Sequence, residues 1–236
     1  MRWRGGRRSE GVEDLRRTLL VALALWLAPD LAGGHGGPHA AAADLDAPPL
    51  AYELPAAGSY ELPPILRVAD HELLRSDGAR AKILDLGPGD FAIVSFVYLG
   101  CRDASGCPLA LATLARLDRA LAQRGDLASR VRLVSVSFDP VRDRPDDLAR
   151  LREGLTPRAD WRFFTAAGEP DLAPVLADFG QDVDAIPGPG GEPAALGHVL
   201  KVFLVDSRGD VRNVYSTGFL DHRLLLRDVE TLLLER

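Results

Sequence analysis

The sequence predicts one α/β domain with a mixed central β-sheet flanked by helices, set behind an N-terminal leader. Three observations carry this. A near-continuous apolar, β-branched and aromatic run, Phe91-Ala92-Ile93-Val94-Ser95-Phe96-Val97-Tyr98, has the pattern of a fully buried strand. Strand-like and helix-like segments then alternate. The chain ends in a hairpin followed by an amphipathic helix.

Taken in order, the strand at 91–98 is followed by Pro108 and then Leu109, Leu111, Leu114, Leu117, Ala120 and Leu121, which is helical spacing. Proline is tolerated at the first helical positions, so Cys107 lies at or beside the N-cap. Arg132 to Phe138 alternates polar and apolar as a strand. Asp143-Arg144-Pro145-Asp146-Asp147 supplies a cap, a proline and first-turn acids for the next helix, with Asp143 expected to be the cap. Trp161-Arg162-Phe163-Phe164 reads as a short strand with Trp161 and Phe163 in the core, and Pro170 to Phe179 as a helix. Val199–Asp206 and Val211–Tyr215 flank Ser207-Arg208-Gly209-Asp210, which is hairpin chemistry, and a helix runs from Asp221 to about Leu234. Between them, Ile186-Pro187-Gly188-Pro189-Gly190-Gly191-Glu192-Pro193 predicts an irregular, mobile surface loop that ends just before His198.

Composition narrows the class. With 47% hydrophobic and 26% charged residues in 236, the chain is ordinary globular protein. Six arginines against four acids give residues 1–43 a charge of +2, which leaves −8 of the total −6 on residues 44–236. An acidic body argues against nucleic acid as a partner. The basic start followed by Leu19–Ala28 is too short an apolar run to span a bilayer of ~30 Å comfortably and suits a signal-peptide core, or else an N-terminal anchor. Ala40–Ala43 offers small residues for cleavage. Residues 1–43 are therefore read as leader or anchor, and export to the bacterial periplasm or the periplasmic face of its membrane follows. Residues 44–64 read as a Pro/Ala-rich linker, with an echo of Tyr52-Glu53-Leu54-Pro55 in Tyr60-Glu61-Leu62-Pro63, and residues 65–236 as the folded domain.

Only two cysteines are present, Cys101 and Cys107, both where the buried strand runs into the helix. Free N–H groups and the positive dipole end there favour a thiolate. Such a pair performs redox chemistry, holds a soft metal, or forms a structural disulfide. The last gains little, because a short loop has little closure entropy to lose.

The order Val94-Ser95-Phe96-Val97-Tyr98, Cys101, Cys107-Pro108-Leu109, Val134–Pro140 with Arg142-Asp143-Arg144-Pro145, then Trp161, Phe163-Phe164-Thr165, Gly197-His198-Val199 and Phe203–Asp206 resembles the Sco/SenC proteins over roughly residues 60–236. The resemblance implies a thioredoxin-like fold and a copper chaperone that is not itself an enzyme. It also implies a client cuproprotein such as cytochrome c oxidase, and metal ligands that map onto Cys101, Cys107 and His198. One departure is plain: five residues separate the cysteines where the family has three. Thiolate and imidazole together select copper or zinc over magnesium or calcium. In thioredoxin-like oxidoreductases a proline is expected just before the strand near Val199, whereas this chain has Gly197-His198 there. The alternative is a thiol–disulfide oxidoreductase that keeps a client's copper-site cysteines reduced, with Cys101 and Cys107 as the redox-active pair. A peroxide-reducing enzyme ranks last, since the turn lacks the Thr/Pro setting of a peroxidatic cysteine. Asp139, at the end of the 132–138 strand, either orients a metal ligand from behind or makes an Asx turn. His35, His39, His71 and His222 read as surface or leader residues, and Tyr98 and Phe96 as packing beneath the site.

Overall fold

A computed structural model describes residues 49–187 and 193–235. The leader read at residues 1–43, with His35 and His39, lies outside the described residues. Among those described, no helix is long and apolar enough to cross a membrane.

The expected buried strand is β4 (Phe91–Val97), and every residue in it is buried. It pairs parallel with β5 (Val131–Ser137) on one side and antiparallel with β9 (Val202–Asp206) on the other. A strand flanked on both edges and covered on both faces has nowhere to place polar side chains, which is why its sequence is a run and not an alternation. The parallel partnership needs a long crossover, and α1 (Cys107–Ala122) supplies it. A second crossover through α3 (Pro145–Leu155) leads to β6 (Trp161–Thr165), parallel to β5. The sheet has eight strands in the order β1 (Leu66–Arg67), β10 (Asp210–Tyr215), β9, β4, β5, β6, β2 (Glu72–Arg75), β3 (Arg80–Lys82). Among the described residues the remaining helices are α2 (Gly125–Ala128), α4 (Glu169–Asp178) and α5 (His222–Leu234). The mixed sheet with flanking helices is the thioredoxin-like α/β fold expected from the sequence.

Three expectations change. The segment around 186–193 is not wholly irregular. Val183–Pro187 (β7) and Pro193–His198 (β8) form a separate two-stranded hairpin, and residues 188–192 lie outside the description. Pro187 and Pro193 face each other at the end of the ladder, where a missing N–H costs the pairing least. Asp143 does not cap α3. Arg144 occupies the N-cap, and Asp147 Oδ2 accepts its backbone N–H at 2.9 Å, while Asp143 turns into the interior. The penultimate strand is shorter than read, beginning at Val202, because Val199 stays exposed and its carbonyl accepts from Gln181 Nε2 instead of a ladder partner.

The linker region also departs from a free spacer over residues 58–62. Gly58 N–H donates to Thr231 Oγ1 (3.1 Å), and Arg212 Nε donates to the Leu62 carbonyl (2.6 Å). Tyr60 donates its hydroxyl to Asp228 Oδ1 (2.5 Å), which the same carboxylate repeats with Tyr215 Oη (2.6 Å) and Asn213 Nδ2 (2.7 Å) at Oδ2. Asp228 is buried, and three neutral donors satisfy a charge that would otherwise be costly there. Asp228→Ala leaves two phenols and an amide without an acceptor. It is expected to cost about 3 kcal/mol or more of stability in urea unfolding, and to free residues 58–62 for early proteolysis.

Candidate metal centre

The carboxyl ends of β4 and β5, the start of α1 and the end of β8 converge on the two cysteines. Cys107 is the first residue of α1, after Gly106 at the N-cap, and it is buried with about 1% of its surface exposed. Its Sγ accepts the Tyr98 N–H at 3.4 Å, which links the end of β4 to the start of the helix. Cys101 is half-buried. The five residues between the cysteines fold back as turns: Cys101 N–H donates to Tyr98 O (3.2 Å) and Gly106 N–H to Asp103 O (3.0 Å). Ser105 N–H and Oγ both donate to Asp103 Oδ1 (2.9 and 2.6 Å). A β-carbon added at Gly106 would meet Cys101 Sγ at 3.4 Å, so the longer spacing still returns the first sulfur to the helix start.

His198 closes the arrangement from the hairpin. Its Nε2 stands 3.7 Å from Cys107 Sγ. The ring rests on Phe138 (centroids 4.7 Å) and meets Tyr98 edge-on (6.1 Å, 80°). A metal–sulfur bond of about 2.3 Å and a metal–nitrogen bond of about 2.0 Å span roughly 3.5–3.7 Å when they share one ion at tetrahedral to trigonal angles. The observed separation fits that span. Among the described residues, no three His, Cys, Asp or Glu side chains stand together as a ready-made ion cage. The structure thus brings Cys107 and His198 together, with Cys101 on the wall of the same cleft.

Two openings flank the sulfurs. A cleft of about 570 Å³ lies between the cysteine loop and the hairpin, lined by Tyr98, Cys101, Arg102, Asp103, Leu196 and His198. A smaller apolar pocket of about 200 Å³ lies on the other side, where Cys101 and Cys107 meet Pro108, Leu111, Leu151 and Leu155.

Electrostatics correct one expectation. Burial pushes the Cys107 thiol well above its ordinary range, with the neighbouring Cys101 adding to the rise. The helix N-terminus offers about 0.3–1 kcal/mol toward a thiolate, under one pKa unit, while full burial shifts a group by as much as 3–5 units. Desolvation wins, so the apo form carries a neutral thiol. Burial moves His198 the other way, below its ordinary value, with hydrogen bonding to the Leu196 backbone and the charge of Asp103 partly opposing. The imidazole is therefore neutral near pH 7 and has a lone pair to give.

Asp139 takes the turn role. Its Oδ1 accepts the Arg142 N–H (3.3 Å) and its Oδ2 pairs with the Arg142 guanidinium (3.0 Å). The carboxylate that does support the site is Asp143, which the sequence reading preferred as a helix cap. Its Oδ2 accepts Leu99 N–H (3.0 Å) and Ser137 Oγ–H (2.6 Å), pinning the turn that leads to Cys101. His71 pairs with Asp178 (2.7 Å), and His222 sits half-buried at the start of α5, not on the open surface. Phe96 packs edge-on against Phe179 and Phe203 in the core.

A buried helix-start cysteine facing a histidine from a hairpin beside a thioredoxin-like sheet defines a thiol–imidazole domain. Comparison with known proteins places it more closely. A family model described as SCO1/SenC matches residues 65–234, and the chain belongs to that family. Among solved structures, a SCO1/SenC family lipoprotein from Bacillus anthracis str. Ames is 25% identical with a TM-score of 0.59, covering 72% of this chain and 97% of its own. Copper-bound ScoI of Arabidopsis thaliana is 18% identical with a TM-score of 0.59, covering 72% of this chain and 99% of its own. BsSco, a Sco-family cytochrome c oxidase assembly protein with a disulfide switch, is 20% identical with a TM-score of 0.56, covering 74% of this chain and 98% of its own. No curated protein matches the chain.

The unequal burial of the sulfurs gives a direct check. In the reduced, metal-free protein, iodoacetamide is expected to modify Cys101 at least tenfold faster than Cys107, read by peptide mass spectrometry over time.

Proposed function

We propose that the exported domain holds one copper ion on Cys101, Cys107 and His198 and hands it to a client cuproprotein, cytochrome c oxidase being the client class the family points to. The observation that supports this most is the 3.7 Å approach of His198 Nε2 to Cys107 Sγ, a span one shared ion fits. Family membership and the copper-bound state of the Arabidopsis relative support the choice of metal. Three soft or borderline donors leave a coordination position open, which is what transfer to an acceptor needs. Here copper is cargo. The chain's part is to present a neutral imidazole and two sulfurs, to keep water from Cys107 by burial, and to release the Cys107 proton when the ion arrives. Residues 1–43 would act as leader or anchor.

Anaerobic titration of the reduced protein with copper(I) tests the assignment. One equivalent is expected to bind, and Cys107→Ser or His198→Ala is expected to weaken binding by at least ~100-fold; variants that bind as tightly as the parent would sink it. The raised Cys107 thiol also sets a pH dependence. Below its pKa the metal must displace a proton, so the apparent affinity is expected to rise about tenfold per pH unit for each proton released, from pH 6 toward pH 8.

Both cysteines are free thiols, and Cys101 reaches back to the Cys107 end of the helix, which supports a second reading as a disulfide reductant for the client's own cysteines. That activity is expected to survive His198→Ala and to die with Cys101→Ser, assayed on a disulfide peptide.

A further inference from the structure

The hairpin that carries His198 stands beside the main sheet: among the described residues, β7 and β8 pair only with each other. A lone two-stranded hairpin is only marginally stable in water, and its own ladder does not fix where the pair stands. Its placement over Cys107 depends on its base, where the chain enters after α4 and leaves toward β9.

The entry side is firmly held. Phe179 is buried edge-on against Phe96 (5.2 Å) and Phe203 (5.0 Å). Gly180, at φ +57°, then turns the chain out of α4, and Gln181 N–H donates to Leu176 O at 2.8 Å. The exit side lacks such a hold at Val199, which is 64% exposed and lies between strands. Gln181 bridges the two sides. Its Nε2 donates to the Asp182 carbonyl at 3.2 Å and to the Val199 carbonyl, one residue past His198, at 3.1 Å. The neighbouring rung of the ladder is Val183 opposite His198 itself. Lys201 ties the same base in the other direction, its Nζ donating to Gly180 O at 2.5 Å.

Gln181 is 3% exposed, and its Oε1 is buried with no partner among the described residues. A buried acceptor left unpaired costs stability. An apolar side chain of equal length would fill the place without that cost, so what glutamine contributes here is its donor amide.

We propose that Gln181 is a positioning residue that holds His198 within bonding reach of the sulfurs by clasping the hairpin's exit to its entry. The inference rests on the copper reading above; Gln181 acts through His198 and does not coordinate the ion. With the clasp broken, the hairpin keeps its ladder and loses its fixed place over Cys107.

The test uses the reduced full chain with two substitutions at this position. Gln181→Met keeps the length and removes both the donor and the unpaired acceptor, whereas Gln181→Glu keeps the shape and replaces the donor with a second acceptor. Each is also combined with His198→Ala. Copper(I) affinity is measured anaerobically by competition with bathocuproine disulfonate. Each substitution is expected to weaken binding about tenfold or more when His198 is present. In the His198→Ala background the same substitution is expected to change binding by less than about twofold, because nothing is left to position. Thermal melting of Gln181→Met is expected to be unchanged. A second readout needs no metal: the NMR shifts of the His198 ring protons, which the ring currents of Phe138 (4.7 Å) and Tyr98 (6.1 Å) displace. At pH 8, Gln181→Met is expected to lose at least half of that displacement. Equal weakening in both backgrounds, binding within twofold of the parent, or unmoved ring protons overturns the role of Gln181 and leaves the ion site standing. A His198→Ala variant that binds copper(I) as tightly as the parent overturns the ion site itself.

Discussion

The layout of the site hangs on one contact between a backbone amide at the end of β4 and a sulfur buried at the first residue of a helix. The Tyr98 N–H on Cys107 Sγ couples the most deeply buried strand to the start of α1. Around that contact everything at the site is placed: Asp143 holds the next amide along, Leu99, and the turn from Tyr98 to Cys101 carries the second sulfur. His198 then approaches from a hairpin that is not part of the main sheet. Two rigid elements set the sulfurs, and a separate one sets the imidazole.

That division explains what the sequence could and could not reveal. The strands β4, β5 and β6 and the helices α1, α3 and α5 are legible because burial writes a period into them: a solid run for β4, heptad-like spacing for α1. Residues 65–90 hold three short strands at the sheet margins, two to four residues each, too short for any period to show. The hairpin of β7 and β8 was hidden by its own prolines, which ordinarily argue against a strand but here sit opposite each other at the ladder's end.

The candidate site was legible in a different way. Cys101 and Cys107 stand out by being the chain's whole supply of thiols, and His198 by its place in an order of motifs, not by any local spacing. Asp143 shows why local rules mislead. A carboxylate two residues before a proline reads as a cap, yet Arg144 and Asp147 satisfy the helix start between them. The freed Asp143 is spent on Leu99, forty-four positions away, a pairing only the folded sheet creates. Thiol ionisation was misjudged for a related reason: the dipole of a helix start is visible in sequence, and the depth at which its first residue lies is not.

The seam formed by Tyr60, Asp228 and Tyr215 has a consequence for reach. With Gly58 to Leu62 stitched onto α5, slack in the stalk can begin only upstream of them. If the N-terminal segment stays in a membrane as an anchor, residues 44–57 are the leash, extending to at most about 50 Å. The reach of the thiols from any fixed point upstream is then that length plus the width of the folded body, shorter than a stalk running free to residue 64 would allow.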